Sequence, residues 1–423
     1  MFSRTAFARN VVRFAAILAL SCYQYEPTSA YGATVDPTSP PTVRTTLSVN
    51  SDGLLTTTTS LANGLVLSKH HPSHVLVKFR PGKAHFLPGS RSSRAFGAHP
   101  DLHVVDNPAG LAVEDALREY RTDPDVLYAE PDYVVHTTAT PNDPAFTAGQ
   151  QWDMTQIAAP TAWDTQTNAG DVVVAVVDTG IDFTHPDLQA NLYTDAGGLL
   201  GYTCINGPCV PGGQDGYGHG THLAGTIGAA TNNGTGMAGI NWHVQLLSMK
   251  FLDASGSGLI SDAVAAYSQI LALKTSGVNI RVTNNSWGST GYSQALKDAM
   301  TAVENAGIVD VCAAGNAATN SERTPFYPAD FDNRGLISVL ATGASDIGAS
   351  FTNYGLASVD IAAPGVNTYS TVPRGTCVLC DPTGYSLLSG TSMATPHVTG
   401  AVAALLQGNP ALTAIVARDA ILN

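Results

Sequence analysis

A serine hydroxyl is a weak nucleophile at neutral pH. It attacks a carbonyl only when a neighbouring base takes its proton and a third group holds that base in place. This chain contains a candidate for each part. Asp178 follows an almost unbroken apolar run, residues 171–177, and precedes Thr179-Gly180, so its carboxylate emerges where a buried strand ends. His219 stands between two glycines in Gly218-His219-Gly220-Thr221-His222-Leu223-Ala224-Gly225, at an expected helix start. Ser392 lies in Ser389-Gly390-Thr391-Ser392-Met393-Ala394-Thr395-Pro396-His397, which leads into a helix of small apolar residues. Singly, each has an ordinary explanation. Asp commonly opens turns, and Ser commonly caps helices. His219 and His222 also suggest paired metal ligands, but no acidic third ligand lies nearby in sequence.

Such chemistry needs a rigid frame. From residue 141 onward, apolar runs at 171–177, 244–251, 280–283, 308–314 and 336–341 alternate with helical patterns at 261–274 and 293–305. Runs that are apolar throughout belong to strands buried on both faces, and intervening helices make the crossovers of a parallel sheet. The fold class is therefore α/β, a parallel sheet flanked by helices on both faces, with chemistry expected at the carboxyl ends of the strands. Ahead of it, residues 74–79 alternate as a half-buried strand, 113–120 read as an amphipathic helix and 126–129 open another strand, which makes a small α+β unit. Residues 31–72, rich in Thr, Ser and Pro, read as a flexible lead-in. The polar string Thr137-Thr138-Ala139-Thr140 reads as exposed and cleavable.

Charge and cysteine usage set the surroundings. The formal net charge is −13; residues 1–139 hold 12 basic and 12 acidic side chains, whereas residues 140–423 hold 8 and 21. That surface argues against nucleic acid or an anionic membrane as partner, and it suits a protein that holds cations. Residues 1–30 carry Arg4, Arg9 and Arg13, then an apolar stretch, then Thr28-Ser29-Ala30, the layout of a secretion signal too short to span a membrane. A lipid anchor at Cys22 is the alternative to release outside the cell. Cys204/Cys209 and Cys377/Cys380 are close pairs expected as local disulfides in an oxidising space, with a four-cysteine zinc site as the competing reading; Cys312, in an apolar run, is expected to be a buried, inert thiol.

The order Asp178, His219, Ser392, each inside its extended motif, resembles the subtilisin-like serine protease (subtilase) family across residues 141–423. The resemblance implies a serine endopeptidase working through an acyl-enzyme, with Ser392 as nucleophile, His219 as base and Asp178 as its orienting acid. It implies that Asn316, in Ala313-Ala314-Gly315-Asn316, donates its amide to the oxyanion beside the backbone amide of Ser392. Gly256-Ser257-Gly258 and Ser286-Trp287-Gly288, with Ala314 and Gly315, would bind an extended peptide by main-chain pairing, Trp287 having a core role as the alternative. Ala317 adds no charge beside Asn316, so a neutral or apolar side chain is expected in the main pocket. Asp143, Asp187, Asn233, Thr235 and Met237 match the family's calcium site, an oxygen donor set suited to a hard cation. The resemblance further implies an inhibitory propeptide domain over residues 73–136, a processing linker over 137–145 cut by the enzyme itself between His136 and Asn142, and a peptidase domain over 146–423 acting as a monomer. Two features depart from the family pattern: the cysteine-bearing loops at 202–213 and 375–384, and a sequence that stops at Asn423, soon after a helix-like stretch at 413–422, where such chains usually continue.

Overall fold

The computed structural model describes residues 43–49, 55–61, 70–133 and 139–423. The expected secretion signal with Cys22, much of the lead-in, and linker residues 134–138 with His136 lie outside the described residues. The chain divides into two compact units between Thr137 and Thr138.

In the smaller unit, β1 (Val43–Val49), β2 (Leu55–Leu61), β3 (His70–Phe79), β5 (His99–Asp106) and β4 (Arg91–Phe96) follow one another in an antiparallel sheet, with β6 (Val126–Tyr133) also on β3. The β1–β2 pair lies within the stretch expected to be flexible; its Thr and Val residues favour extended backbone. Helix α1 (Val113–Thr122) packs Val113, Ala116, Leu117 and Tyr120 onto Val75, Val77 and Phe79. The alternation in β3 and the i, i+3, i+4 spacing in α1 thus meet in one small core.

The larger unit is built on an eight-stranded sheet in the order β14-β13-β12-β11-β7-β10-β8-β9. Its strands are β7 (Asn168–Asp178), β8 (Gly201–Thr203), β9 (Val210–Pro211), β10 (His243–Lys250), β11 (Ile280–Asn285), β12 (Val309–Ala313), β13 (Leu336–Thr342) and β14 (Ile361–Pro364), all parallel except the β8–β9 pair. Period-two alternation explains how an apolar strand serves two layers. Val172, Val174 and Val176 of β7 enter one core with α2 (His219–Gly228), α5 (Thr391–Gly408) and α6 (Ala414–Leu422). Val173, Ala175 and Val177 enter the opposite core with α3 (Ile260–Thr275) and α4 (Gln294–Asn305). The first strand, β7, is flanked by β10 on one side and β11 on the other, so the strand order reverses beside it. That is the place where an open α/β sheet leaves a crevice at its carboxyl edge. Two short pairs were not legible beforehand: β8–β9, and β15 (Thr368–Thr371) with β16 (Tyr385–Leu388), which leads into the Ser392 segment.

One polar network is sealed inside this unit. Tyr267 of α3 donates its hydroxyl to Asp310 Oδ1 (2.9 Å), and Thr283 of β11 donates to the same oxygen. Burial pushes the Asp310 carboxyl up to about 7 against these hydrogen bonds. A carboxyl held above its ordinary value favours the native state when protonated; the contribution is complete below roughly pH 4 and is lost as pH rises through 7. We predict that Asp310→Asn, which keeps an acceptor oxygen without a charge, flattens the decline in Tm between pH 5 and pH 8. An equal decline in both proteins would overturn this.

Candidate active site

Strand β7 delivers Asp178 to the carboxyl edge, fully buried. Its Oδ1 accepts from the Thr179 amide (2.7 Å) and from His219 Nδ1 (2.8 Å), while Oδ2 is buried without a partner. With the proton on Nδ1, His219 keeps Nε2 free to act as a base. His219 is the first residue of α2, entered through Gly218 at φ 110°, a left-handed conformation natural only to glycine. Asp215 fixes that entry: its Oδ1 accepts from the amides of Tyr217 and Gly218 (2.9 Å each), and its Oδ2 accepts from the Thr221 amide (3.1 Å) and hydroxyl (2.6 Å). Gly220 has a different reason to be glycine, since a Cβ there would run into the Gly180 carbonyl. Burial pulls the His219 pKa down, but the charge and hydrogen bond of Asp178 and the charge of Asp215 outweigh it, and the net direction is upward.

His222 does not pair with His219 as a ligand. Its ring is buried, its Nε2 faces the carbonyls of Thr368 (3.2 Å) and Ser386 (3.3 Å), and burial, reinforced by the His219 charge, drops its pKa to about 3. It is a neutral core histidine that ties α2 to the β15–β16 pair.

Ser392 is the second residue of α5, and its hydroxyl donates to the Ser286 carbonyl (3.0 Å). The reciprocal bond, Ser286 Oγ to the Ser392 carbonyl (3.0 Å), follows from the sequence: Pro396 has no N–H, so the carbonyl four residues earlier lacks its helical donor. Asn316 lies just past β12, after Gly315 at φ 102°. Its Oδ1 accepts from the Thr391 amide (2.8 Å) and hydroxyl (3.0 Å), which fixes the amide flip and turns Nδ2 the other way. A Cβ on Gly390 would stand 3.5 Å from Asn316 Nδ2, 3.6 Å from the Ser392 amide nitrogen and 3.7 Å from Met393 Sδ, so the two donors lie close to one point beside Gly390. Such convergence suits a developing oxyanion. Asn353, buried nearby, donates to the Ala314 carbonyl (2.8 Å) and accepts from the amides of Ala317 (2.9 Å) and Thr319 (3.2 Å), holding the Asn316 turn.

A cleft of about 590 Å³ runs past His219. Gly256, Ser257 and Gly258 line one wall, and Ser286, Trp287 and Gly288 the other. Trp287 serves both readings: it lines the cleft, and its ring packs edge-on against Phe251 (4.7 Å) in the lower core. Ala314 and Gly315 are buried and do not line this cleft.

A family model described as the subtilase family matches residues 169–423 of this chain. The chain belongs to the subtilase family. It is similar to the thermophilic serine proteinase of Bacillus sp. strain AK1, 38% identical over 70% of this chain and 66% of that one, slightly under two thirds of that relative's length. The alkaline protease of Shouchella clausii is 39% identical over 76% and 75% of the two chains, and subtilisin E of Bacillus subtilis is 36% identical over 74% of each. Among solved structures, a protease of Pseudoalteromonas arctica superposes with a TM-score of 0.58 at 32% identity, covering 66% of this chain and 91% of that one. This subtilase is accordingly a subtilisin-like serine endopeptidase, a hydrolase of peptide bonds with a mostly parallel α/β sheet.

Elsewhere in the subtilase, the five expected metal-site positions come together. Asp143 and Asp187 are both fully buried. Asp143 Oδ2 accepts from the Asn232 amide (2.7 Å); Asp187 accepts from Asn233 Nδ2 (3.0 Å), the Met237 amide (2.9 Å) and the Tyr385 hydroxyl (3.2 Å). Asn233 Oδ1 accepts from the Thr235 amide (2.7 Å). Burial raises Asp143, and burial with the neighbouring Asp143 charge raises Asp187 to about 6. Two buried carboxylates beside each other, with no basic side chain paired to either among the described ion pairs, fit a hard cation. Among the described residues no three His, Cys, Asp or Glu side chains gather as a metal set; here two carboxylates and the Asn233 amide meet, with Thr235 and Met237 entering through their N–H groups.

The cysteine pairs stand at bonding distance, with Cα atoms 4.1 Å apart for Cys204–Cys209 and 4.8 Å for Cys377–Cys380. The second pair closes a turn whose Leu379 amide donates to the Tyr217 carbonyl (2.9 Å), and Leu379 fills the space beside Gly218. Cys312 is a buried free thiol, its pKa held far up by burial and the Asp310 charge. Sequence reasoning missed Asp215, Thr391 and Asn353. Asp215 had a usable signal, an acid just ahead of a helix start; Asn353 comes from a distant loop and had none.

Proposed function

We propose that the subtilase hydrolyses protein substrates through Asp178, His219 and Ser392, with Asn316 and the Ser392 amide receiving the oxyanion. The observation that carries the reading is the pair of N–H donors, Asn316 Nδ2 and the Ser392 amide, that meet beside Gly390, with the Ser392 hydroxyl hydrogen-bonded to Ser286 on the wall of the cleft that His219, paired to Asp178, also lines. Ser392 Oγ bonds to the scissile carbonyl carbon as His219 Nε2 takes its proton, and the carbonyl π pair moves onto oxygen between Asn316 Nδ2 and the Ser392 amide. Collapse expels the amine, which carries away the proton from His219. Water then repeats the sequence on the ester and frees the carboxyl product. Asp178 holds the Nδ1–H tautomer throughout. Ala317 adds no charge beside Asn316, which favours a neutral or apolar side chain in the main pocket. A fluorophosphonate probe tests the nucleophile: it labels Ser392 and no other serine, and failure to label folded, processed protein overturns the reading.

The oxyanion role has its own test. Asn316→Ala is expected to lower kcat by about 10²- to 10³-fold with KM little changed, the size of effect known from subtilisin itself when the equivalent donor is removed. A fall confined to KM would assign Asn316 to binding alone.

The buried carboxylates Asp143 and Asp187, with Asn233 and the main chain of Thr235 and Met237, would hold a structural calcium ion. That ion would supply positive charge to a loop whose two buried acids are met by hydrogen-bond donors but by no basic side chain among the described ion pairs. Chelation is then expected to lower Tm by several degrees, and Asp187→Asn to abolish most of that sensitivity. Equal Tm values with chelator and with excess calcium overturn the assignment.

The remaining parts of the reading concern biogenesis. Residues 1–30 act as a secretion signal, with anchoring through Cys22 as the competing outcome, and residues 73–136 act as an inhibitory propeptide removed by self-cleavage between His136 and Asn142. The α+β fold of the smaller unit and the exposed Thr140 support this reading, while Ala139 is partly buried against the core of the larger unit with its amide donating to Asp164 Oδ1. Among the described residues no helix is long and apolar enough to cross a membrane. Mass spectrometry of the mature protein, with and without Ser392, reads both ends and any lipid together.

A further inference from the structure

Lys250 closes β10 directly opposite Asp178 in the register with β7. Its side chain is half-buried, and its ammonium donates to the carbonyls of Thr179 (2.6 Å) and Leu252 (2.7 Å). Those carbonyls belong to the two segments that leave the sheet edge on either side of the Asp178 carboxylate. Between them, the Asp178 carbonyl accepts from the amides of Phe251 (3.0 Å) and Leu252 (3.3 Å). Thr179 joins the frame to both partners: its amide donates to Asp178 Oδ1 (2.7 Å), and its hydroxyl accepts from the Gly220 amide (2.9 Å), one residue past His219. A shift of the Thr179 carbonyl would therefore carry the carboxylate and the start of α2 with it.

The electrostatics point the same way. Asp178 on β7, Asp215 ahead of α2 and Asp253 after β10 are the acids whose fields reach Lys250, and His219 is the base that shares the first two. Asp178 Oδ2 is buried with no hydrogen-bond donor, so half of that carboxylate depends on surrounding charge for compensation. A half-buried lysine is a costly way to fill space. Methionine of similar length would keep the packing but not the two hydrogen bonds to carbonyls or the charge, and glutamine would keep a donor without the charge.

We propose that Lys250 is a positioning residue for the Asp178–His219 pair, locking the Asp178-Thr179 turn and balancing the negative charge behind the imidazole. This rests on the triad reading above. The test compares Lys250→Met, Lys250→Gln, Lys250→Arg and Asp178→Asn in the full chain, with turnover of a small peptide substrate counted per fluorophosphonate-titratable Ser392 and folding followed by circular dichroism. Lys250→Met is expected to lose about 10- to 100-fold in kcat with KM within about threefold, the cost of sub-ångström misplacement. The acid limb of its kcat/KM profile moves to higher pH, because a cation that opposes the imidazolium is gone. Lys250→Gln restores part of the turnover and leaves the limb displaced, while Lys250→Arg restores both. If Lys250→Met, or Lys250→Gln should the methionine variant not fold, matches the wild type in kcat and acid limb while Asp178→Asn is crippled, the Lys250 assignment fails alone. If Asp178→Asn is itself fully active, the triad reading fails first.

Discussion

Ser392→Ala is expected to fold normally and to lose about a millionfold in kcat, the magnitude known for the nucleophile of subtilisin itself. Ser392 makes one side-chain hydrogen bond, to the Ser286 carbonyl, at a half-buried site, so the methyl group that replaces the hydroxyl neither opens a large cavity nor strands a buried donor. The loss is chemical because no covalent intermediate can form. Activity above the uncatalysed rate, of the order of 10³- to 10⁴-fold, should survive, since the spot between Asn316 Nδ2 and the Ser392 amide remains and the backbone amide does not depend on the side chain. His219→Ala should cost about as much, and the double variant little more, because proton transfer and attack are one event. The variant should also accumulate as unprocessed precursor. Full processing of Ser392→Ala in a host lacking other proteases would overturn self-cleavage through Ser392.

Asp178→Asn is expected to lower kcat at neutral pH by about 10⁴-fold, the figure for the corresponding change in a serine protease of unrelated fold. The structure explains why a change of one atom is so costly. Asp178 Oδ1 receives both the Thr179 amide and His219 Nδ1–H. If the asparagine carbonyl keeps the Thr179 bond, the ring loses its carboxylate; if its NH₂ turns toward His219, Nδ1 must become an acceptor and the proton moves to Nε2, where the base should be. The pH profile supplies an independent reading. The Asp178 charge is the largest influence raising the His219 pKa against burial, so the acid limb of kcat/KM should move to lower pH in the variant. A limb that stays in place would mean that a different group titrates.

Much of this machinery was legible one residue at a time because local chemistry announces it. An apolar run ending in Asp178 requires a buried strand with an acid at its edge. Glycines on either side of His219 mark a helix start; the left-handed φ of Gly218 and the close approach of Gly220 to the Gly180 carbonyl come only with the structure. Trp287 was ambiguous for a physical reason: a large amphipathic ring can line a cleft and seal a core at once, and it does both. Ala314 and Gly315, expected to touch substrate, are buried, since strand burial extends past β12 to the residue before Asn316.

The sequence by itself pointed to the α/β frame, because that depends on periodicity along a single stretch of chain, and the resemblance of its three motifs to the subtilase family supplied the expected reaction type, base, nucleophile and orienting acid. The tertiary structure decided what depends on distant segments meeting. It set the Asn316 amide flip through Thr391, the hold of Asn353 on that turn, the Asp215 clamp on the entry to α2, the neutral state of His222 under the β15–β16 pair, and the place of Lys250 opposite Asp178. None of these is a local property. Each comes from hydrogen-bonding groups that must find partners when strands and helices far apart in sequence are packed too closely for water to serve.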